Sequence, residues 1–202
     1  MKKTNILIAG SLILALAAGA TGAYAYFSAR TTSNADTFSI AAGSTLGNEA
    51  TLIDEYTASD NQDLAPGATI SKKVAIKSDG DYESYAYIRV EVPMISAKKS
   101  GDTSAVLYEA VTPNFNTGAW TRVSYTAGTA TSDAVYVYRQ SAKLAARATS
   151  SYLFTTCTVG DFTELNARFT DAIVVKGCLI QANQMTTSEA DSSAQTLLAG
   201  IS

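Results

Sequence analysis

Between Ser84 and Val92 the chain alternates without a break. Ala86, Ile88, Val90 and Val92 are aliphatic, while Tyr85, Tyr87, Arg89 and Glu91 are aromatic or charged. A helix would scatter the aliphatic set around its circumference, whereas the period of two in a strand puts all four on one face. The spacing therefore predicts a strand with its aliphatic face inward and its polar-aromatic face outward, ended or edged by Pro93. A second strand precedes it, with Ile70, Lys72, Val74 and Ile76 on one face and Ser71, Lys73, Ala75 and Lys77 on the other. Leu64-Ala65-Pro66-Gly67 leads into that strand as a tight turn, because Pro fixes φ and Gly accepts a positive one. Ser78-Asp79-Gly80-Asp81 turns the chain from one strand to the next.

Further along, Trp120 to Tyr125 and Val135 to Arg139 read as a strand pair across a Gly/Thr/Ser/Asp-rich turn. Leu153 to Val159 and Ala172 to Ile180 read as the last two strands, and Ile173-Val174-Val175 in a row suggests burial on both faces. Residues 26–63 are polar and turn-rich, apart from a short alternation at Asp36 to Ile40. Ser96 to Asp102 reads as a polar connection, and Val106 to Val111 has no clear period. Leu64 to Ser71 and Leu144 to Ser151 share Leu, Ala, Ala, Thr and Ser at matching places, so two similar corners of one sandwich, or coincidence, account for the echo. At the C-terminus Thr186-Thr187-Ser188-Glu189 fits a capping box, and Ala190, Ala194, Leu197 and Leu198 follow at helical spacing. Eleven Tyr against three Pro, with strands closely spaced and one closing helix, predict an all-β antiparallel sandwich with a short C-terminal helix.

The N-terminus reads as targeting. Lys2 and Lys3 make a positive start, Ile6 to Ala20 an apolar run, and Ala23-Tyr24-Ala25 places small residues at a signal peptidase site, with Tyr26 the new N-terminus. The rival reading is an uncleaved membrane anchor, since no charge interrupts Thr4 to Ala29. Gly19, Gly22 and the lack of a basic stop-transfer cluster favour cleavage. Residues 1–25 are accordingly expected to be a signal peptide and the product to be secreted, extracellular or on the cell surface.

The composition excludes several functions. The net charge is −3, and loss of Lys2 and Lys3 makes it more acidic. No positive stripe is present to release phosphate counterions, so no nucleic acid is expected as a partner. The chain has no histidine, which removes His-based triads and HExxH zinc sites together. Gly-x-Ser-x-Gly, Gly-x-Gly-x-x-Gly and P-loop patterns are absent as well. No catalytic residue, metal ligand or cofactor is expected.

Cys157 and Cys178 are the only cysteines. In an exported protein such a pair reads as one disulfide, which over a loop of about 20 residues would contribute on the order of 3 kcal/mol. Two buried thiols are the alternative. Asp54, Glu55, Asp60 and Asp63, with Asp79, Asp81 and Glu83, could hold calcium, but the spacing matches no EF-hand and solvated turn acids explain them better. The tyrosines fit sheet packing, or alternatively a contact surface for other subunits.

Ala20-Thr21-Gly22-Ala23-Tyr24-Ala25-Tyr26-Phe27-Ser28, followed by Asn34 to Gly43, resembles the signal and mature start of the TasA/camelysin family. Leu64-Ala65-Pro66-Gly67, Ser78-Asp79-Gly80-Asp81, Tyr85 to Val90, and Leu179-Ile180-Gln181-Ala182-Asn183 resemble later family segments in the same order. Residues 94–135 match no family segment. The resemblance implies a jelly-roll-like sandwich over residues 44–202, preceded by a donor-strand-like segment, 26–43. It implies a secreted subunit of extracellular fibres or surface matrix, a homopolymer released by a signal peptidase of the SipW kind, with cell-surface or matrix components as further partners. Phe27, Phe38 and Ile40 are the side chains a neighbour's groove would take, in a segment loosely docked in the monomer and ordered as a strand in the assembly. The alternatives are a camelysin-like metallopeptidase, for which no His ligand exists, and a cell-surface adhesin.

Overall fold

The strand read from Ser84 to Val92 has these same bounds in a computed structural model, which describes residues 28–30, 50–56, 66–165 and 173–201. Among these residues the strands are β1 (Ser28–Arg30), β2 (Ala50–Tyr56), β3 (Thr69–Ser78), β4 (Ser84–Val92), β5 (Met94–Lys99) and β6 (Val106–Glu109). They continue as β7 (Val111–Pro113), β8 (Trp120–Thr126), β9 (Ala134–Gln140), β10 (Phe154–Val159), β11 (Phe162–Leu165) and β12 (Val174–Gln181), and one helix, α1 (Thr187–Ala199), closes the chain.

The pairing is that of a long hairpin rolled on itself. β4 pairs with β9, β3 with β10 and β1 with β12, all antiparallel and nested about the β7–β8 region. Rolling places β1-β12-β4-β9-β8 in one sheet and β2-β3-β10-β7 in another, with β11-β5-β6 as a small third sheet. This is an all-β antiparallel, jelly-roll-like sandwich with a short C-terminal helix. Side chains of both large sheets meet in one core, where Ala86, Ile88, Val90 and Val92 of β4 join Val74, Ile76, Trp120, Leu153 and Phe154.

The opposite face of β4 departs from expectation. Tyr85 and Tyr87 do not face solvent; they form a second core with Val137, Cys178, Ile180 and the helix residues Ala190, Ala194 and Leu198. The helix starts as the capping box dictates. The Thr186 hydroxyl accepts from the Glu189 amide at 3.3 Å, and the Glu189 carboxylate accepts from the Thr186 amide at 2.8 Å. Its small residues let it lie close over the sheet, so the molecule has three layers: sheet, sheet and helix.

Several strands escape the sequence reading, β2, β5, β6, β7 and β11 among them. β2 lies in the supposed turn-rich stretch, its alternation of Ala50 and Leu52 interrupted by Asp54. The supposed polar connection overlaps β5, which begins at Met94 and pairs with β6, and Phe162 starts β11 beside it. Ile95, Ala97, Ala110 and Phe162 give this small sheet its own core. The alternation at Asp36 to Ile40 lies outside the described residues.

Candidate functional site

The N-terminal part of the chain joins the sandwich at its rim. Ser28, Ala29 and Arg30 pair with Ile180, Leu179 and Cys178, making β1 the outermost strand of the five-stranded sheet. On its other side β12 pairs with β4 along its whole length, from Val174 opposite Glu91 to Gln181 opposite Ser84. The facing sheet approaches closely here: a Cβ on Gly177 would meet Ile76 and Leu52 at 3.1 and 3.2 Å. Phe27, Phe38 and Ile40, and Ala23, Ala25 and Tyr26 of the predicted cleavage site, lie outside the described residues.

The outer face of β12 and β4 is covered by α1 and tied to it by a polar network. Asp191 of α1 accepts from the Tyr87 hydroxyl at 2.8 Å and from the Arg139 guanidinium at 2.6 and 2.7 Å. Burial, followed by the bond to Asp191, pushes the Tyr87 hydroxyl's pKa well above its ordinary value, so it acts as a donor throughout the physiological range. Farther along the same face Glu91 lies between Arg89 at 2.7 Å and Lys176 at 3.1 Å. Burial works against its charge, but the bonds from Lys176 and Arg89 outweigh this and hold its pKa low.

The predicted disulfide is not formed, for a topological reason. Cys157 and Cys178 are both buried thiols. Cys157 on β10 points into the core between the large sheets, whereas Cys178 on β12 points the other way, beneath α1. The backbone of a sheet therefore separates them. Burial pushes the Cys157 thiol up to about 12, which keeps it protonated and poorly nucleophilic.

An inward-facing ion pair lies beside Cys157. The Lys72 ammonium donates to both carboxylate oxygens of Asp54 at 2.7 Å, and the Tyr56 ring lies 5.4 Å from it. The alternation of β3 puts Lys72 in line with Ile70, Val74 and Ile76; its partner sits on β2, in a stretch whose sequence carries no sustained strand period.

The other predicted groups form ordinary surface contacts. Asp79 is held by Thr51 at 2.6 Å and by Lys77, Asp81 by Arg147 at 2.6 Å, and Glu83 by Lys143 at 3.2 Å. Asp60 and Asp63 lie outside the described residues. Among the described residues no group of three or more His, Cys, Asp or Glu could hold a metal ion, and no helix is long and apolar enough to cross a membrane. Glu109 accepts from Tyr136 at 2.6 Å and Tyr125 at 3.4 Å, the two rings lying 4.7 Å apart. Among the described residues Tyr125 and Tyr152 are exposed, while Tyr85, Tyr87 and Tyr138 are buried.

Fold and rim together define the class: an antiparallel, jelly-roll-like β-sandwich with a helix over one face and a short N-terminal strand at its edge. No protein-family model, curated protein or solved structure matches the chain.

Proposed function

We propose that this protein is a secreted structural subunit of extracellular fibres or a surface matrix, assembled by strand addition between copies. The observation that carries the reading is the position of β1, the outermost strand of its sheet, which pairs with β12 at three residues. An edge strand held over so short a length can be exchanged for the same strand of a neighbour at little cost, since the same main-chain bonds form either way. The resemblance of the segment around Tyr26 to the TasA/camelysin start, and the apolar run before it, supports the same reading. Signal cleavage would free the segment only after export, coupling assembly to secretion. Ordering the rest of it costs about 1–2 kcal/mol per residue, which sheet bonds and burial of Phe27, Phe38 and Ile40 in a neighbour must exceed.

The test is removal of residues 26–36 from the mature protein. Polymers seen by electron microscopy for the intact chain should disappear, while thermal unfolding of the sandwich should change little. Normal fibre yield from the truncated chain would refute strand addition through this segment. An intact mature chain that stays monomeric under all assembly conditions would refute the structural role itself.

A further inference from the structure

We propose that Lys72 and Asp54 condense to an intramolecular amide that staples edge strand β2 to β3. Both residues occupy inward places in their strands. Asp54 continues the row of Ala50 and Leu52 in β2, and Lys72 lies between Ile70 and Val74 in β3. The pairing of Asp54 with Val74 and Tyr56 with Lys72 makes the two charged residues diagonal neighbours on one face. Lys72 is only 8% exposed, and the Asp54 side chain 18%.

The contact already holds the two reacting groups together. The ammonium nitrogen lies 2.7 Å from both carboxylate oxygens and so stands close to the carbon between them, the kind of proximity from which intramolecular reactions gain. The site is poorly solvated: the Tyr56 ring and the buried thiol of Cys157 border it.

The chemistry is balanced with no other reactant. The ammonium gives one proton to the carboxylate, leaving an amine and a carboxylic acid. The nitrogen lone pair then attacks Cγ of Asp54, the C–N bond forms and one C–O bond breaks. The departing oxygen leaves as water, carrying two of the three ammonium protons, and the third stays on the amide nitrogen. Two buried charges become one uncharged amide, and the product joins an edge strand covalently to its neighbour.

This inference does not depend on assembly and is tested by mass alone. The exported protein, with its N-terminus established, should weigh less than its sequence by one water. Trypsin should fail to cut after Lys72 and should release a branched peptide joining Lys72 to Asp54. Lys72→Arg and Asp54→Ala should restore the full mass. Asp54→Asn should form the same link with loss of ammonia in place of water. A wild-type chain of full mass that trypsin cuts after Lys72 would overturn the proposal, whether or not the variants fold. A missing water that persists in Lys72→Arg would overturn it equally, because the loss would then lie elsewhere.

Discussion

Gly67 and Arg147 occupy the same place in two related corners, and both have left-handed backbones, φ 75° and 56°. Each is the fourth residue of the echoed segments, Leu64 to Ser71 and Leu144 to Ser151. In each corner the next carbonyl caps a strand of the central pair: Ala68 accepts from Val159 at the end of β10, and Ala148 accepts from Ser78 at the end of β3, both at 2.8 Å. The two corners thus brace opposite ends of the β3–β10 pair.

Gly67→Ala tests this corner. A Cβ there would meet nothing within 4 Å, so any loss is conformational and should amount to about 1 kcal/mol in urea unfolding. Arg147→Gly should cost no stability, because relief of the left-handed strain offsets the loss of an exposed ion pair with Asp81. An unchanged midpoint for Gly67→Ala would show that the corner tolerates a side chain.

The thiols are expected to remain separate. Alkylation in denaturant without prior reduction should add two labels, at Cys157 and Cys178, even after the folded protein has met a mild oxidant. A monomer that takes up none under those conditions would mean that the chain can bring the two faces of β12 together, contrary to the strand register.

Helix α1 should act as a cover over Cys178. Its Leu198 is fully buried against the sheet, and Leu198→Ala should cost about 2–4 kcal/mol by leaving a cavity. Loosening the helix should speed native-state alkylation of Cys178 while Cys157, between the large sheets, stays protected. Equal protection of both thiols in the variant would contradict this layering.

Glu91 should contribute to acid sensitivity. Its carboxyl is held below the ordinary value of 4.5, so the folded state favours its ionised form. Its contribution is complete above that value and is lost as pH falls through the lower, folded pKa. Glu91→Gln should therefore flatten the decline of Tm between about pH 5 and 3. A decline as steep as in the wild type would place the acid sensitivity in other carboxylates.

The sequence by itself determined the β class, the strands β3, β4, β8, β9, β10 and β12, and the start of α1. In those segments side-chain period or a local capping pair carries the information. It also placed Lys72 on the same strand face as Ile70, Val74 and Ile76. Tertiary structure decided what no local pattern encodes: which strands become neighbours and what covers each sheet face. Tyr85 and Tyr87 read as outward because period two separates faces without saying whether a second layer lies beyond one of them. Cys157 and Cys178 read as a pair because spacing along the chain does not reveal that their strands sit in different sheets. Strand β2 was missed because Asp54 breaks its alternation, and only the pairing of β2 with β3 supplies the lysine that makes an inward carboxylate tolerable. A buried charge is settled by its partner across the sheet, and that partner is a property of the fold.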